Sequence, residues 1–350
     1  MEIELNGYIK DRTVWNSEDL DADNSWIHRL SDNEIEDIDN ALEKINAESI
    51  DISDISKETF HLELLAEKLL TIQECIEHDR GIFFIKGLPI EKYSNEDIQR
   101  VFVGINSYIG TAVIQSTDGA LIHEVKDKGE GLYGEKGRGT NTKDRLPWHT
   151  DRSDVVSLLC ISPAAQGGES MIASLTNLYN RIKKERPDLA DVLCNPFCHA
   201  RAPFEFEGLS PWYELPIFTM RGGRFAARYL RHFINISQDI VGVPKLSDLQ
   251  IEALDYVDQR LCDPDVYVKL AFEPGDIQII NNFTTVHSRE EYADDSNQFR
   301  YLLRLWLSVP NSRELIEQFS ELYGDTKAGA VRGGILPAPA NESGVNSNVA

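Results

Sequence analysis

Apolar residues along this chain repeat with two different periods. From residue 31 to about 108 the spacing is helical: Ser31-Asp32-Asn33-Glu34 forms a capping box, and Ile35, Ile38, Leu42 and Ile45 follow on one face. A second helix is predicted from Phe60 to Glu77, stopping before Gly81, and a third from the Ser94-x-x-Asp97 cap to about Tyr108. Between them, Ile82-Phe83-Phe84-Ile85 has the short apolar run of a buried strand. Beyond residue 110 the period shortens. Strands are predicted at Ala112–Gln115, at Leu121–Val125, several times between Pro196 and Tyr229, and on both sides of the Pro274-Gly275-Asp276 turn. Helices are expected at Thr176–Glu185 and Ser247–Leu261. In Phe299–Val309, Tyr301, Leu303, Leu305 and Leu307 alternate with Arg300, Leu302, Arg304, Trp306 and Ser308. Many short strands with flanking helices fit an α+β protein built on a double-stranded β-helix, or jelly roll, core.

Residues 1–324 read as a single domain, with 1–54 as an acidic helical N-terminal extension. The glycine-rich, charged stretch 126–145 reads as a lid loop. Residues 325–350, rich in Gly, Ala, Pro, Asn and Ser, read as a flexible tail with no core contribution. The formal net charge of -23 argues against nucleic acid or an anionic membrane as partner. Residues 17–54 alone hold 13 acids and 2 bases, so -11 of that charge describes a solvated face rather than a binding site. The first residues carry no basic patch or apolar run, and no segment approaches the roughly 20 apolar residues of a membrane helix. Five scattered cysteines (Cys75, Cys160, Cys194, Cys198, Cys262) fit reduced thiols, so a cytoplasmic protein is expected, and a homo-oligomer is compatible with this composition. Cys194-x-x-x-Cys198-His199 invites a zinc reading, but no second pair at metal spacing accompanies it.

The chemistry concentrates elsewhere. Pro147-Trp148-His149-Thr150-Asp151 is followed 138 residues after His149 by His287, and Arg300 and Arg304 lie 13 and 17 residues further on. Two imidazoles and a carboxylate on one face of a metal form the triad of non-haem Fe(II) oxygenases, which leaves positions open for a co-substrate and O2. His-x-Asp alone is weak: among eight histidines in an acid-rich chain, a capped or surface histidine is the better reading. The surroundings change that. Alternation puts His149 and Asp151 on one side with Trp148 opposite as an anchor, and His287 ends a predicted buried strand. On the arginine strand, a leucine and a tryptophan between two arginines mark an interior face. A buried guanidinium is costly without an anion, so both arginines ask for one, from a ligand or from the protein itself.

His149-Thr150-Asp151, Gly167-Gly168-Glu169-Ser170, Pro274-Gly275-Asp276, His287 and Arg300-x-x-x-Arg304 together resemble the taurine dioxygenase (TauD/TfdA) family of Fe(II)/2-oxoglutarate-dependent dioxygenases. The resemblance runs from about Trp26-Ile27-His28-Arg29-Leu30 to the end of the Arg300 strand, and is closest to members with Ser153-Asp154-Val155-Val156 after the metal motif. It implies a jelly-roll core, Fe(II) on His149, Asp151 and His287, and 2-oxoglutarate and O2 as co-substrates. It also implies that Arg300 pairs with the distal carboxylate of 2-oxoglutarate, helped by Ser170, and that Arg304 faces an acidic group of the substrate. The family usually has threonine after Gly-Gly-Asp; serine here keeps the hydroxyl. His123 is a further substrate-side candidate, for which a packed or surface histidine reads equally well, and Asn141, Asn282 and Trp212 are pocket guesses.

The expected reaction converts 2-oxoglutarate to succinate and CO2 while an unactivated C–H bond of a small acidic metabolite is oxidised. Related halogenases replace the carboxylate at the position of Asp151 with a small residue, so its presence favours hydroxylation, or else desaturation or ring closure. Two rivals stand beside this reading. A zinc hydrolase would use the same three residues to activate water, which the arginine pair disfavours. A non-catalytic jelly-roll binding or sensor protein is disfavoured by the intact triad.

Overall fold

The computed structural model describes residues 7–132, 139–202 and 209–335. Two main sheets carry the site. Their strands are β1 (Ile27–Arg29), β2 (Ile82–Lys86), β3 (Thr111–Val113), β4 (Ile122–Val125), β5 (Leu146–His149), β6 (Val155–Ser162), β7 (Ser170–Ser174), β8 (Tyr267–Leu270), β9 (Ile277–Asn281), β10 (Thr285–Arg289) and β11 (Tyr301–Ser308). The larger sheet has the order β1-β2-β9-β6-β11-β3, with β4 also paired to β11; the smaller has the order β8-β7-β10-β5. Apart from the parallel β1–β2 edge, these pairings are antiparallel.

Helices α1 (Asp32–Ala47), α2 (Ala66–His78) and α3 (Asn95–Ser107) cover the outer face of the larger sheet. Helices α4 (Leu175–Glu185), α5 (Pro187–Leu193) and α6 (Asp248–Arg260) cover that of the smaller. Alternation along β11 explains the layering. Leu303, Leu305 and Leu307 join the helix-side core with Ile38, Leu69 and Phe102. Leu302 and Trp306 point the other way, into a cluster shared with Ile172 of β7 and Val268 of β8, so the two sheets pack face to face. Slipping β11 by one residue would send Arg304 into the helix core, which fixes the register from both sides.

Local chemistry starts the helices where expected. Ser31 and Glu34 form a reciprocal capping box on α1, Ser94 caps α3 and Ser247 caps α6. One predicted boundary is wrong: α2 begins at Ala66, not Phe60. The buried carboxylate of Asp37 on α1 accepts the backbone N–H groups of Glu63, Leu64 and Leu65 at 2.9, 2.9 and 3.0 Å, so a neighbouring helix satisfies the donors that a local helix would have used.

The acidic N-terminal extension from Trp15 on, and residues 325–335, are more integrated than composition implied. Acidic α1 buries Ile38, Leu42 and Ile45 in the helix-side core, and Trp15, Leu20 and Trp26 join the cluster between the sheets. The reading of 325–350 as a segment without core contribution is corrected for residues 325–335. Arg332 is buried on Asp154, Ile335 is buried, and the Ile335 N–H donates to the Ile114 carbonyl at 2.7 Å. Gly333 and Gly334 allow this approach: a Cβ on either would meet a backbone oxygen, of Arg152 or Ile114, at 2.8 Å. Residues 336–350, and 133–138 of the expected lid, lie outside the described residues. No helix among the described residues is long and apolar enough to cross a membrane.

Candidate metal centre

The smaller sheet brings the two histidines together. His149 ends β5 directly opposite His287 on β10, with ring centroids 4.2 Å apart. Trp148, on the outward side of β5, is buried against the Tyr267 ring at 5.6 Å and anchors the strand from behind. Asp151 follows in the loop to β6. One ligand atom from each of His149, Asp151 and His287 lies within 4.8 Å of the other two. Asn282, fully buried in the turn after β9, shapes that loop. Its Oδ1 accepts the Asp151 N–H at 3.0 Å, and its Nδ2 donates to the carbonyl and hydroxyl oxygens of Ser153, each at 3.1 Å.

The carboxylate of Asp151 is held from one side. Its Oδ2 accepts Trp306 Nε1 at 2.9 Å and Arg304 Nη1 at 3.3 Å, so the inward face of β11 orients it. Burial opposes ionisation of this carboxyl, but the Arg304 charge, the two histidines and the tryptophan N–H outweigh it and hold it well below the usual carboxylate range. Burial pushes the His287 imidazole down to about 3, with His149 adding to the effect, and lowers His149 as well. Both rings are therefore neutral at neutral pH, the form that binds a metal. His149 Nδ1 lies 2.8 Å from the Pro147 carbonyl, an arrangement that fixes the ring. Two neutral imidazoles and one ionised carboxylate fit a divalent first-row metal.

Two residues along β10 from His287, Arg289 shares the Tyr292 ring with a second buried arginine, Arg300. Arg300 is buried, and among the described residues its guanidinium meets no carboxylate; its Nη1 has no hydrogen-bond partner. Burial, then the neighbouring Arg289, pulls its pKa down to about 10. The Gly167–Gly168 turn runs against it in left-handed conformations that glycine favours: a Cβ at 167 would collide with the Glu291 carbonyl, and one at 168 would meet the Arg300 Nε at 3.1 Å. Buried Ser170 begins the next strand, β7, opposite Arg289. The described parts of the expected lid are tied to this wall. Arg289 Nη2 donates to the Thr142 carbonyl at 2.7 Å, the Ser288 hydroxyl to the Leu146 carbonyl at 2.6 Å, and the Tyr292 N–H to the Lys143 carbonyl at 3.1 Å.

The remaining predicted residues divide. His123 sits opposite Arg304 in the β4–β11 register and contacts the Thr140 hydroxyl at 2.9 Å. Asn141 is buried and donates to Glu130 at 2.9 Å. Trp212 lines a surface cleft with Tyr213, Glu214 and Arg221 that includes none of the three metal-site residues. His199 stacks on Tyr213 with centroids 5.4 Å apart and lies outside the potential metal group, as do Cys194 and Cys198. Sequence reading missed three residues. Gln115 brackets Arg304, accepting its Nε at 2.8 Å and donating to its carbonyl at 2.8 Å. Buried Arg228 donates to the Asp151 carbonyl at 3.0 Å. Arg289 was findable: alternation places it on the His287 face of β10.

Two histidines and a carboxylate that could hold a metal, with buried arginines on the neighbouring strands, are what a non-haem iron oxygenase with an acidic co-substrate requires. Residues 34–306 match the family described as "Taurine catabolism dioxygenase TauD, TfdA family", and the chain belongs to that family. It is thus an enzyme, an iron- and 2-oxoglutarate-dependent dioxygenase. Among relatives, it is 30% identical over 335 residues to the FR-33289 synthase of Streptomyces rubellomurinus, covering 92% of this chain and 96% of that protein. Among solved structures, an asparagine oxygenase in complex with Fe(II), hydroxyasparagine and succinate superposes with a TM-score of 0.65 at 16% identity, covering 81% of this chain and 93% of that one. The non-haem iron oxygenase OrfP in complex with Fe and alpha-ketoglutaric acid gives 0.61 at 16% identity, covering 81% and 94%. At that identity the likeness is one of fold.

Proposed function

We propose that the chain oxidises an unactivated C–H bond of a small acidic metabolite, by hydroxylation, with 2-oxoglutarate converted to succinate and CO2. In this reading the two facing sheets are the halves of a jelly roll, and His149, Asp151 and His287 hold the iron. Arg300, with Ser170, takes the distal carboxylate of 2-oxoglutarate. Iron and co-substrate supply the oxidising power; the chain's own residues orient, charge and exclude. Asn282 and Trp306 aim the Asp151 carboxylate, Gln115 fixes Arg304, and the tied wall at 139–146 limits water.

The structure changes the argument for substrate charge. Arg304 was expected to meet a substrate anion, but the anion it touches is Asp151. The case for an acidic substrate rests instead on the sum of the lining. Arg228, Arg289 and Arg300 are all buried, and among the described residues none of their guanidinia forms an ion pair with a carboxylate. A divalent metal and doubly charged 2-oxoglutarate offset one another, so a positive excess remains for the substrate to meet. His123, beside Arg304, is the proposed polar contact on that side. The test is succinate release above the uncoupled background for small acids paired with their neutral amides. Stimulation by acids alone supports the reading, and equal stimulation by the amides overturns it. Zinc hydrolase and non-catalytic sensor readings find no support in the family or its named relatives.

A further inference from the structure

We propose that Arg289 is a second binding residue for the distal carboxylate of 2-oxoglutarate, and that through it co-substrate binding is coupled to the 139–146 wall. This rests on the 2-oxoglutarate reading above and extends it to a residue outside the expected arginine–serine pair.

Three observations carry it. First, Arg289 stands directly opposite Ser170 in the β10–β7 register, so the two are cross-strand neighbours on the inward face. A carboxylate that meets Ser170 is within reach of Arg289. Second, Arg289 and Arg300 flank one aromatic ring, their guanidinium carbons 4.9 and 5.3 Å from the centroid of Tyr292. They therefore border the same space. Third, Arg289 is only half satisfied. Its Nη2 holds the carbonyls of Thr142 and Asp144, while its buried Nε and Nη1 have no partner, and neither do Arg300 Nη1 and the Tyr292 hydroxyl. Buried guanidinium donors left unmade are costly, and one carboxylate between the two arginines would satisfy both. Because the other arm of Arg289 grips the segment leading into β5 and His149, an anion on its free donors also fixes that segment.

The experiment titrates 2-oxoglutarate into the full chain loaded with Mn(II) under argon, by calorimetry, and follows amide hydrogen exchange across 139–146. The wild type should bind and gain protection there. Arg289→Gln should weaken binding ten-fold or more and lose the protection gain even at saturation. Arg300→Gln should weaken binding but keep the gain when saturated. Affinity of Arg289→Gln within two-fold of wild type, or an unchanged protection gain, overturns the proposal. If Arg289→Gln does not fold by circular dichroism, Arg289→Lys is read instead: it keeps the charge but cannot span pocket and wall. Lost protection with partly kept affinity supports the coupling, and wild-type behaviour in both overturns it. A wild type that binds no 2-oxoglutarate sinks the functional reading itself, which is a separate result.

Discussion

Two buried arginines near the metal loop make opposite use of the same side chain. Arg332 is finished: its Nε meets Asp154 Oδ1 at 2.7 Å, its Nη2 the Arg313 carbonyl at 2.7 Å, and its Nη1 the carbonyls of Thr326 and Lys327. Arg300 is unfinished, with no carboxylate in reach among the described residues and a buried nitrogen without a partner. Burial raises the pKa of Asp154 and lowers that of Arg300, yet Asp154 has Arg332 to oppose the shift whereas Arg300 has the like charge of Arg289 beside it. A paired guanidinium inside a protein holds structure; an unpaired one is costly to keep.

The largest expected effect lies at the candidate metal centre. His149→Ala, Asp151→Ala and His287→Ala should each abolish iron-dependent turnover and weaken Fe(II) binding, measured by metal titration of folded protein. Asp151→Ala should also lose stability relative to the histidine variants, because it leaves Arg304 buried without its carboxylate. Near-wild-type iron affinity in two of the three would remove the site assignment.

Next in size, Arg332→Ala should destabilise the fold by about 3–5 kcal/mol, since it strands Asp154 as a buried charge. Urea denaturation would show this as a lowered midpoint. A loss confined to 2-oxoglutarate affinity would reverse the roles of the two arginines. Arg300→Ala should do the opposite: leave apo stability unchanged or raised, and weaken 2-oxoglutarate by roughly ten- to a hundred-fold, the value of about 1.5–3 kcal/mol for a charge-assisted contact. An unchanged 2-oxoglutarate dependence would move that contact elsewhere. The smallest effect belongs to Ser170→Ala, where one hydroxyl-to-carboxylate hydrogen bond is lost while the arginine contact stays, which should raise the 2-oxoglutarate requirement a few-fold. A change in substrate requirement instead would separate Ser170 from the co-substrate.

Which of these roles could be read beforehand follows from how each is encoded. The residues of the candidate triad were legible because few residue types ligate iron, although Asp151 lies in the loop after β5 and not on the alternating strand expected for it. The two faces of β11 were legible by alternation, and Arg289 was available by the same count from His287. Gln115 and Asn282 were not assignable, because their roles depend on which strands become neighbours: Gln115 is 189 residues from Arg304 and Asn282 is 131 from Asp151. The late start of α2 depends likewise on Asp37 from another helix. The C-terminal segment misled through its glycines. Composition read Gly333 and Gly334 as looseness, whereas the fold uses their missing side chains for close contact.

That contact has a consequence for how the enzyme comes into being. Asp151 and Asp154 are synthesised near the middle of the chain, whereas the arginine that neutralises Asp154 arrives 178 residues later, among the last described residues. Domains fold as units once their parts are available. The loop that carries Asp151 and Asp154 therefore lacks its inner counter-charge until Arg332 has been made. A chain cut shortly before Arg332 would keep every residue of the candidate metal group and lose the buried ion pair that settles the loop beside it.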